Sequence, residues 1–121
     1  DYEKALEYYE RDLKGSEKTL GKTHPETLRS VECIAMVYVD GLKEYEKAFE
    51  KYSYAMKGYE AQLGKDHEDT KRCVKNFSID LKSQGEMKKL EELKKEYPWL
   101  DEESSDEDEE SSDEDEAEGD Y

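Results

Sequence analysis

Histidine and cysteine are the side chains of this chain that could bind a metal or act in catalysis. His24 and His67 are the only histidines, Cys33 and Cys73 are the only cysteines, and none stands at the short spacing that zinc ligands use. The sequence contains no glycine-rich phosphate loop, nucleophile elbow or two-histidine helix motif. We therefore predict no enzyme, no metal and no cofactor, with both thiols free in a reducing compartment.

Serines embedded in acids form a different candidate site near the end of the chain. Residues 101–121 contain 14 of the 35 acidic residues and no Lys or Arg. Four serines there have an acid three positions downstream, a pattern similar to the acidophilic site of casein kinase 2: Ser104, Ser105, Ser111 and Ser112. Phosphorylation of all four would add roughly six to eight negative charges. We expect a disordered tail that either binds basic proteins or serves only to keep the chain in solution.

The rest of the chain is rich in charge but nearly neutral. Residues 1–100 hold the remaining 21 acids against all 19 bases. This balance argues against direct nucleic-acid binding, and no apolar run is long enough to span a membrane. We predict a cytoplasmic protein, with the nucleus as the alternative.

A repeat of 43 residues shows which elements carry these side chains. The segment starting at Tyr2 returns at Tyr45, and Leu20-Gly21-Lys22 returns as Leu63-Gly64-Lys65. Apolar residues recur at spacings of three and four, which is typical of helices. The predicted helices span residues 1–20, 25–40, 43–63, 67–83 and 86–97. Such a period indicates stacked helical units that bury their apolar faces against each other.

Glycine and a capping sequence predict where the helices end and restart. Gly21 and Gly64 follow long helices, where glycine accepts the left-handed conformation. Thr23 is the predicted N-cap of the second helix, with Pro25 in the first turn and Glu26 at the reciprocal capping position. In this interpretation His24 and His67 serve junction packing and helix initiation.

The small and aromatic residues of the repeat resemble those of the tetratricopeptide family. Ile34-Ala35-Met36-Val37-Tyr38, followed by Tyr45, Ala48, Tyr52 and Ala55, is similar to its paired helices A and B. The long helix B and the period indicate the kinesin light chain-like subtype. The resemblance covers residues 1–97 and implies an all-α fold, a short solenoid of about two and a half units, followed by the tail at 98–121. The first helix resembles a helix B without its partner, so we expect self-association through that helix.

The resemblance also implies an adaptor or scaffold that binds a peptide or protein in a groove lined by the helices A. The matching positions are Arg29, Glu32, Met36, Val39, Arg72, Lys75, Asn76, Ile79 and Lys82. This mixed surface has a basic side, which suits an acidic peptide with an aromatic or apolar anchor. The alternative is that these Lys and Arg residues are only solvated helix positions.

Trp99 and Leu100 form a further candidate element, because Trp99 is the only tryptophan and acids follow it. The segment resembles the cargo peptides of kinesin light chain repeats and could dock in a groove. Alternatively, Trp99 covers the apolar end of the last helix. A separate hypothesis places the function in the tail, as a binder of histones or ribosomal proteins with the repeats as a mount.

Overall fold

The computed structural model describes residues 1–101, and every element in that range is helical. The elements are α1 (Tyr2–Leu20), α2 (Pro25–Val37), a π-helical turn (Tyr38–Leu42), α3 (Tyr45–Leu63), α4 (Glu68–Ser83) and α5 (Met87–Glu96). The predicted all-α fold is thus confirmed for the described part of the chain. The described residues form two compact units, one spanning Asp1–Asp80 and the other beginning at Leu81.

The repeat in the sequence is also a repeat in the structure. α1 and α3 each contain 19 residues and start 43 positions apart. Each ends at a glycine with positive φ, 101° at Gly21 and 97° at Gly64. The two junctions also share a hydrogen bond. The Thr27 hydroxyl donates to the Gly21 carbonyl oxygen and the Thr70 hydroxyl to the Gly64 carbonyl oxygen, each at 2.8 Å.

Histidine, and not Thr23, caps α2, which corrects the prediction. His24 Nδ1 accepts a hydrogen bond from the Glu26 amide at 3.1 Å, and His67 Nδ1 accepts from the Asp69 amide at 3.0 Å. Because His24 is the N-cap, Pro25 occupies the first helical position, where its missing N–H costs nothing. Thr23 instead accepts from the Gln62 amide at 2.9 Å. Both histidines therefore serve helix initiation, as the sequence suggested.

The end of α2 also differs from the predicted helix over 25–40. The α-helical pattern stops at Val37 and continues as one π-helical turn through Leu42. Lys43, in the left-handed conformation with φ 57°, ends that turn by donating its amide to the Tyr38 carbonyl. The wider turn leads the chain into α3.

The core of the first unit consists of apolar residues from α2, α3 and α4. α2 packs against both α1 and α3. Leu28 and Ile34 of α2 and Tyr52 of α3 are almost fully buried. Phe77 of α4 stacks on the Tyr52 ring with centroids 5.3 Å apart. By contrast, α1 has no fully buried residue, so one of its faces remains open.

The second unit consists of the end of α4, α5 and a short segment after it. Leu90 and Leu93 of α5 are buried. The chain beyond α5 is also held, because Leu100 is only 3% exposed and Lys94 pairs with Asp101 at 3.2 Å. No helix among residues 1–101 is both long and apolar enough to cross a membrane.

Candidate partner-binding surface

A buried polar cluster joins the two helices that were predicted to line a groove. Glu32 of α2 accepts a hydrogen bond from Arg72 of α4 at 2.8 Å, and Tyr59 of α3 donates to the same oxygen, Oε1, at 3.0 Å. Arg72 also pairs with Asp69 at 2.7 Å, and its guanidinium lies 5.7 Å from the centre of the Tyr59 ring. The cluster thus ties three helices together through one planar cation.

Burial of this cluster changes the chemistry of its members. Desolvation, followed by the charge of Glu32, raises the pKa of the Tyr59 hydroxyl and of the Cys73 thiol. Burial alone would lower the pKa of Arg72, but the hydrogen bonds with Glu32 and Asp69 raise it above its usual value. Each group is therefore held in the state it has at neutral pH: a neutral phenol, a neutral thiol and a charged guanidinium.

The two thiols are free, and burial raises the pKa of both. Cys73 is fully buried, and Cys33 is partly exposed with a pKa raised mainly by burial. A raised pKa lowers the thiolate fraction, which is the reactive form. Among residues 1–101, no three His, Cys, Asp or Glu side chains lie together as a metal site would require.

The predicted groove residues divide into buried and exposed groups. Glu32 is 4% exposed and Val39 is also buried, so neither presents its side chain to a ligand in this structure. Arg72 is engaged by Glu32 and Asp69, which reduces the basic character expected for the groove. Lys75 and Asn76 are half-buried, whereas Arg29 and Lys82 are exposed.

Met36 and Ile79 are the apolar members of the exposed group. Met36 is 38% exposed and Ile79 is 56% exposed. They stand 43 positions apart, so they occupy the same repeat position on α2 and α4. The Glu32–Arg72 pair shows that these two helices are neighbours. The repeat thus places one exposed apolar side chain on each of two adjacent helices.

A second hydrogen bond ties α3 to α4 beside this surface. Tyr52 donates to Asp80 at 2.9 Å. Burial raises the pKa of Asp80, the hydrogen bond from Tyr52 acts in the opposite direction, and the charge of Asp40 adds to the rise. The hydroxyls of Tyr52 and Tyr59 thus act as hydrogen-bond donors to Asp80 and Glu32.

Sequence reasoning missed two members of the cluster around Glu32 and Arg72: Tyr59, which donates a hydrogen bond to Glu32, and Asp69, which pairs with Arg72. Tyr59 and Asp69 were not singled out, although both lie at recognisable places, one in the aromatic row of α3 and one in the first turn of α4. The available signal was a glutamate in the otherwise apolar row of Leu28, Val31 and Ala35, since a buried carboxylate needs a cationic partner. Arg72 is that cation, and it lies on α4, which corresponds to α2 in the next repeat.

The remaining predicted sites lie at the end of the described residues or beyond them. Leu100 is buried, Trp99 is half-buried, and the Trp99 ring packs edge-on against Tyr97 with centroids 6.2 Å apart. The four candidate phosphorylation sites, Ser104, Ser105, Ser111 and Ser112, lie outside the described residues.

Comparison of the sequence with protein-family models gives no match, and comparison with curated proteins gives no significant match.

Proposed function

We propose that this chain is a protein-interaction module of the tetratricopeptide type, similar to the kinesin light chain subtype, and acts as a non-enzymatic adaptor or scaffold in the cytoplasm. Support comes from the 43-residue period, which recurs in the lengths of α1 and α3 and in the hydrogen bonds of both junctions. Repeats of this kind usually present a binding surface built from equivalent positions of successive units.

The binding surface that we propose is centred on Met36 and Ile79. Exposed apolar side chains at equivalent positions of adjacent helices are the single observation on which the proposal depends. Methionine adapts to irregular ligands because it is unbranched and polarisable. Asn76, three residues before Ile79, carries an amide that could hold the backbone of an extended peptide.

The basic side chains of this surface favour acidic peptides, but more weakly than the sequence suggested. Arg72 already neutralises two carboxylates, so the exposed Arg29 is the cation of the first unit best able to attract an acidic ligand. Exposed charges contribute little at physiological salt. An aromatic or aliphatic anchor against Met36 and Ile79 should therefore supply most of the affinity, with acids adding specificity.

A peptide-binding experiment tests this proposal with matched variants. The probe is a fluorescein-labelled acidic peptide with a central Trp-Leu pair, titrated with the 121-residue chain and followed by fluorescence polarisation. We expect saturable binding that Met36→Glu and Ile79→Glu each weaken at least about tenfold, because a charge would lie against the apolar anchor. Met87→Glu is the control, since Met87 is 53% exposed, close to the 56% of Ile79, but lies on α5. Equal loss in all three variants, or none in any, would contradict the proposal.

The second candidate function is binding of basic proteins by the tail, and the 14 acids of residues 101–121 favour it. Binding through such a segment should collapse as salt rises from about 0.1 M to about 0.5 M, whereas binding to an apolar surface should persist. A chain ending at Asp101 separates the two, because it removes the acidic segment and keeps the buried Leu100. A basic partner that is lost with the tail and with salt would favour this second function.

A further inference from the structure

The surface around Met36 and Ile79 ends at two aspartates. Asp40 lies four residues after Met36, in the π-helical turn, and Asp80 directly follows Ile79 on α4. Asp40 is exposed, and Asp80 is half-buried. The surface that carries the two exposed apolar side chains therefore has an acidic end.

The two aspartates lie close to each other where the segment from α2 to the π-helical turn runs beside α4. Glu32 and Arg72, which bind each other at 2.8 Å, are 40 positions apart, and so are Asp40 and Asp80. Each aspartate follows its member of the ion pair by eight residues, so the two neighbouring segments keep one register. The charge of Asp40 also acts on Asp80, as expected for neighbouring carboxylates.

Within residues 1–101, neither of these carboxylates has a cationic partner. Asp80 accepts one hydrogen bond, from the Tyr52 hydroxyl at 2.9 Å, and neither aspartate forms an ion pair in that range. Two like charges held close together destabilise the fold, because they repel each other. A ligand that brings a positive charge to this place would relieve the repulsion.

The surrounding structure holds both aspartates in place. Tyr52, which bonds Asp80, is only 1% exposed, so the position of its hydroxyl is fixed by the core. The backbone of Asp40 lies inside a hydrogen-bonded turn, which Lys43 ends by donating its amide to the Tyr38 carbonyl. A ligand would therefore meet two carboxylates that need little ordering, which lowers the entropic cost of binding.

We propose that the peptide bound at this surface carries a lysine or arginine beside its apolar anchor, and that this cation lies between the two aspartates. The inference rests on the function proposed above, and it adds the charge that the ligand must carry at one end. Acids of the ligand would lie on the other side of the anchor, because Arg29 precedes Met36 by seven residues whereas Asp40 follows it by four. Such a surface accepts a bipolar peptide in one direction only.

Fluorescein-labelled peptides with blocked ends and a central Trp-Leu pair test the proposal. One peptide has two lysines before the pair and two glutamates after it, and a second has the same residues in exchanged places. A third replaces the lysines of the tighter binder by glutamines. In fluorescence polarisation with the 121-residue chain at about 50 mM salt, we expect one charged arrangement to bind about fivefold more tightly than the other.

Variants of the chain then locate the cation. Asp40→Asn and Asp80→Asn should each lower the preference to about twofold, and the double variant should abolish it. These losses should vanish with the glutamine peptide, because the lysines and the aspartates form one interaction. Asp66→Asn is the matched control, since Asp66 is also exposed but precedes α4, at the opposite end of that helix from Asp80, and it should leave the preference unchanged.

Thermal unfolding of the same variants separates binding from folding. Asp40→Asn removes one of two like charges, so we expect its melting temperature to equal or exceed that of the unaltered chain in circular dichroism. Asparagine at position 80 keeps an acceptor for the Tyr52 hydroxyl. If Asp80→Asn is nevertheless misfolded, Asp40→Asn with the lysine and glutamine peptides decides the question.

Equal binding of the two charged arrangements would overturn this inference alone, provided that Met36→Glu still weakens both. A preference that survives in the aspartate variants would overturn it as well. Binding that the aspartate variants weaken but Met36→Glu does not would show a contact through charge alone, without the anchor, and would also overturn it. If none of the peptides binds saturably, the proposed function is overturned together with the inference. A preference that the aspartate variants reduce and Asp66→Asn does not supports the inference.

Discussion

Two glycines at the same repeat position should respond in opposite directions to the same substitution. Gly15 and Gly58 both lie inside 19-residue helices, so Gly→Ala at either removes backbone freedom from the unfolded chain. That gain is about 0.5–1 kcal/mol in a helix interior. Nothing lies within 4 Å of a Cβ at Gly15, and we therefore expect Gly15→Ala to raise the free energy of unfolding by about that amount.

In Gly58→Ala, steric crowding offsets the stabilisation that comes from the reduced backbone freedom of the unfolded chain. Its Cβ would approach two carbons of Leu28 to 2.7 Å and 2.8 Å, and Leu28 is itself fully buried, so it has little room to move. Overpacking of a core costs about 1–3 kcal/mol. Subtracting the backbone gain leaves a net destabilisation of about 1 kcal/mol, and the two variants should differ by about 2 kcal/mol.

Urea unfolding followed by circular dichroism at 222 nm measures this difference. With a typical dependence of about 2 kcal/mol per molar urea, the two midpoints should lie roughly 1 M apart. Leu28→Val should cost less in the Gly58→Ala background than in the unaltered chain, because the smaller side chain relieves the crowding. Equal stabilisation by both Gly→Ala changes would refute the argument. Equal destabilisation would refute it too, since the space around Gly15 would then already be filled in solution.

Two further predictions concern the buried polar cluster. Arg72→Met should destabilise the chain by about 2 kcal/mol, because it leaves the Glu32 carboxylate buried without its cation. The control is Arg29→Met, at the equivalent exposed position, which should change the free energy of unfolding by less than about 0.5 kcal/mol in the same assay. The free energy of unfolding should also fall as pH rises above about 9–10. Burial raises the pKa of Cys73, Tyr52 and Tyr59, so the unfolded chain releases these protons at a lower pH than the folded chain. Each group then lowers the free energy of unfolding by about 1.4 kcal/mol per pH unit. Tyr59→Phe should reduce that slope in urea titrations between pH 9 and pH 11. Similar losses for both arginine variants, or an unchanged slope in Tyr59→Phe, would contradict these expectations.

Local sequence signals predicted the helices well because the junctions are built from nearby residues. Leu20 and Leu63 end their helices as the following glycines indicated. The capping residue was misassigned because Thr23 and His24 both carry an acceptor, and the sequence alone does not show which one precedes the first helical residue. The position of Pro25 at that first residue decides between them in the structure.

The candidate site was less predictable because its contacts join distant parts of the chain. The family resemblance implied that Glu32 lines a groove, whereas in the structure Glu32 is buried and bound to Arg72, 40 residues away. The π-helical turn after Val37 has no comparable sequence signal. Met36 and Ile79 are exposed, and their place in a ligand groove, which the family resemblance implied, stays a prediction.

The two kinds of contact in the first unit have different consequences for how such a chain can change in evolution. Each junction contains one hydrogen bond that is made within a few residues, from Thr27 to Gly21 and from Thr70 to Gly64, so a duplicated or deleted repeat would carry that bond intact. The Glu32–Arg72 pair joins one repeat to the next. A unit inserted between them would leave a carboxylate buried without its cation unless it brought an arginine of its own. An added unit is therefore constrained at its interface with the next repeat, whereas the hydrogen bond within its junction depends on no other unit.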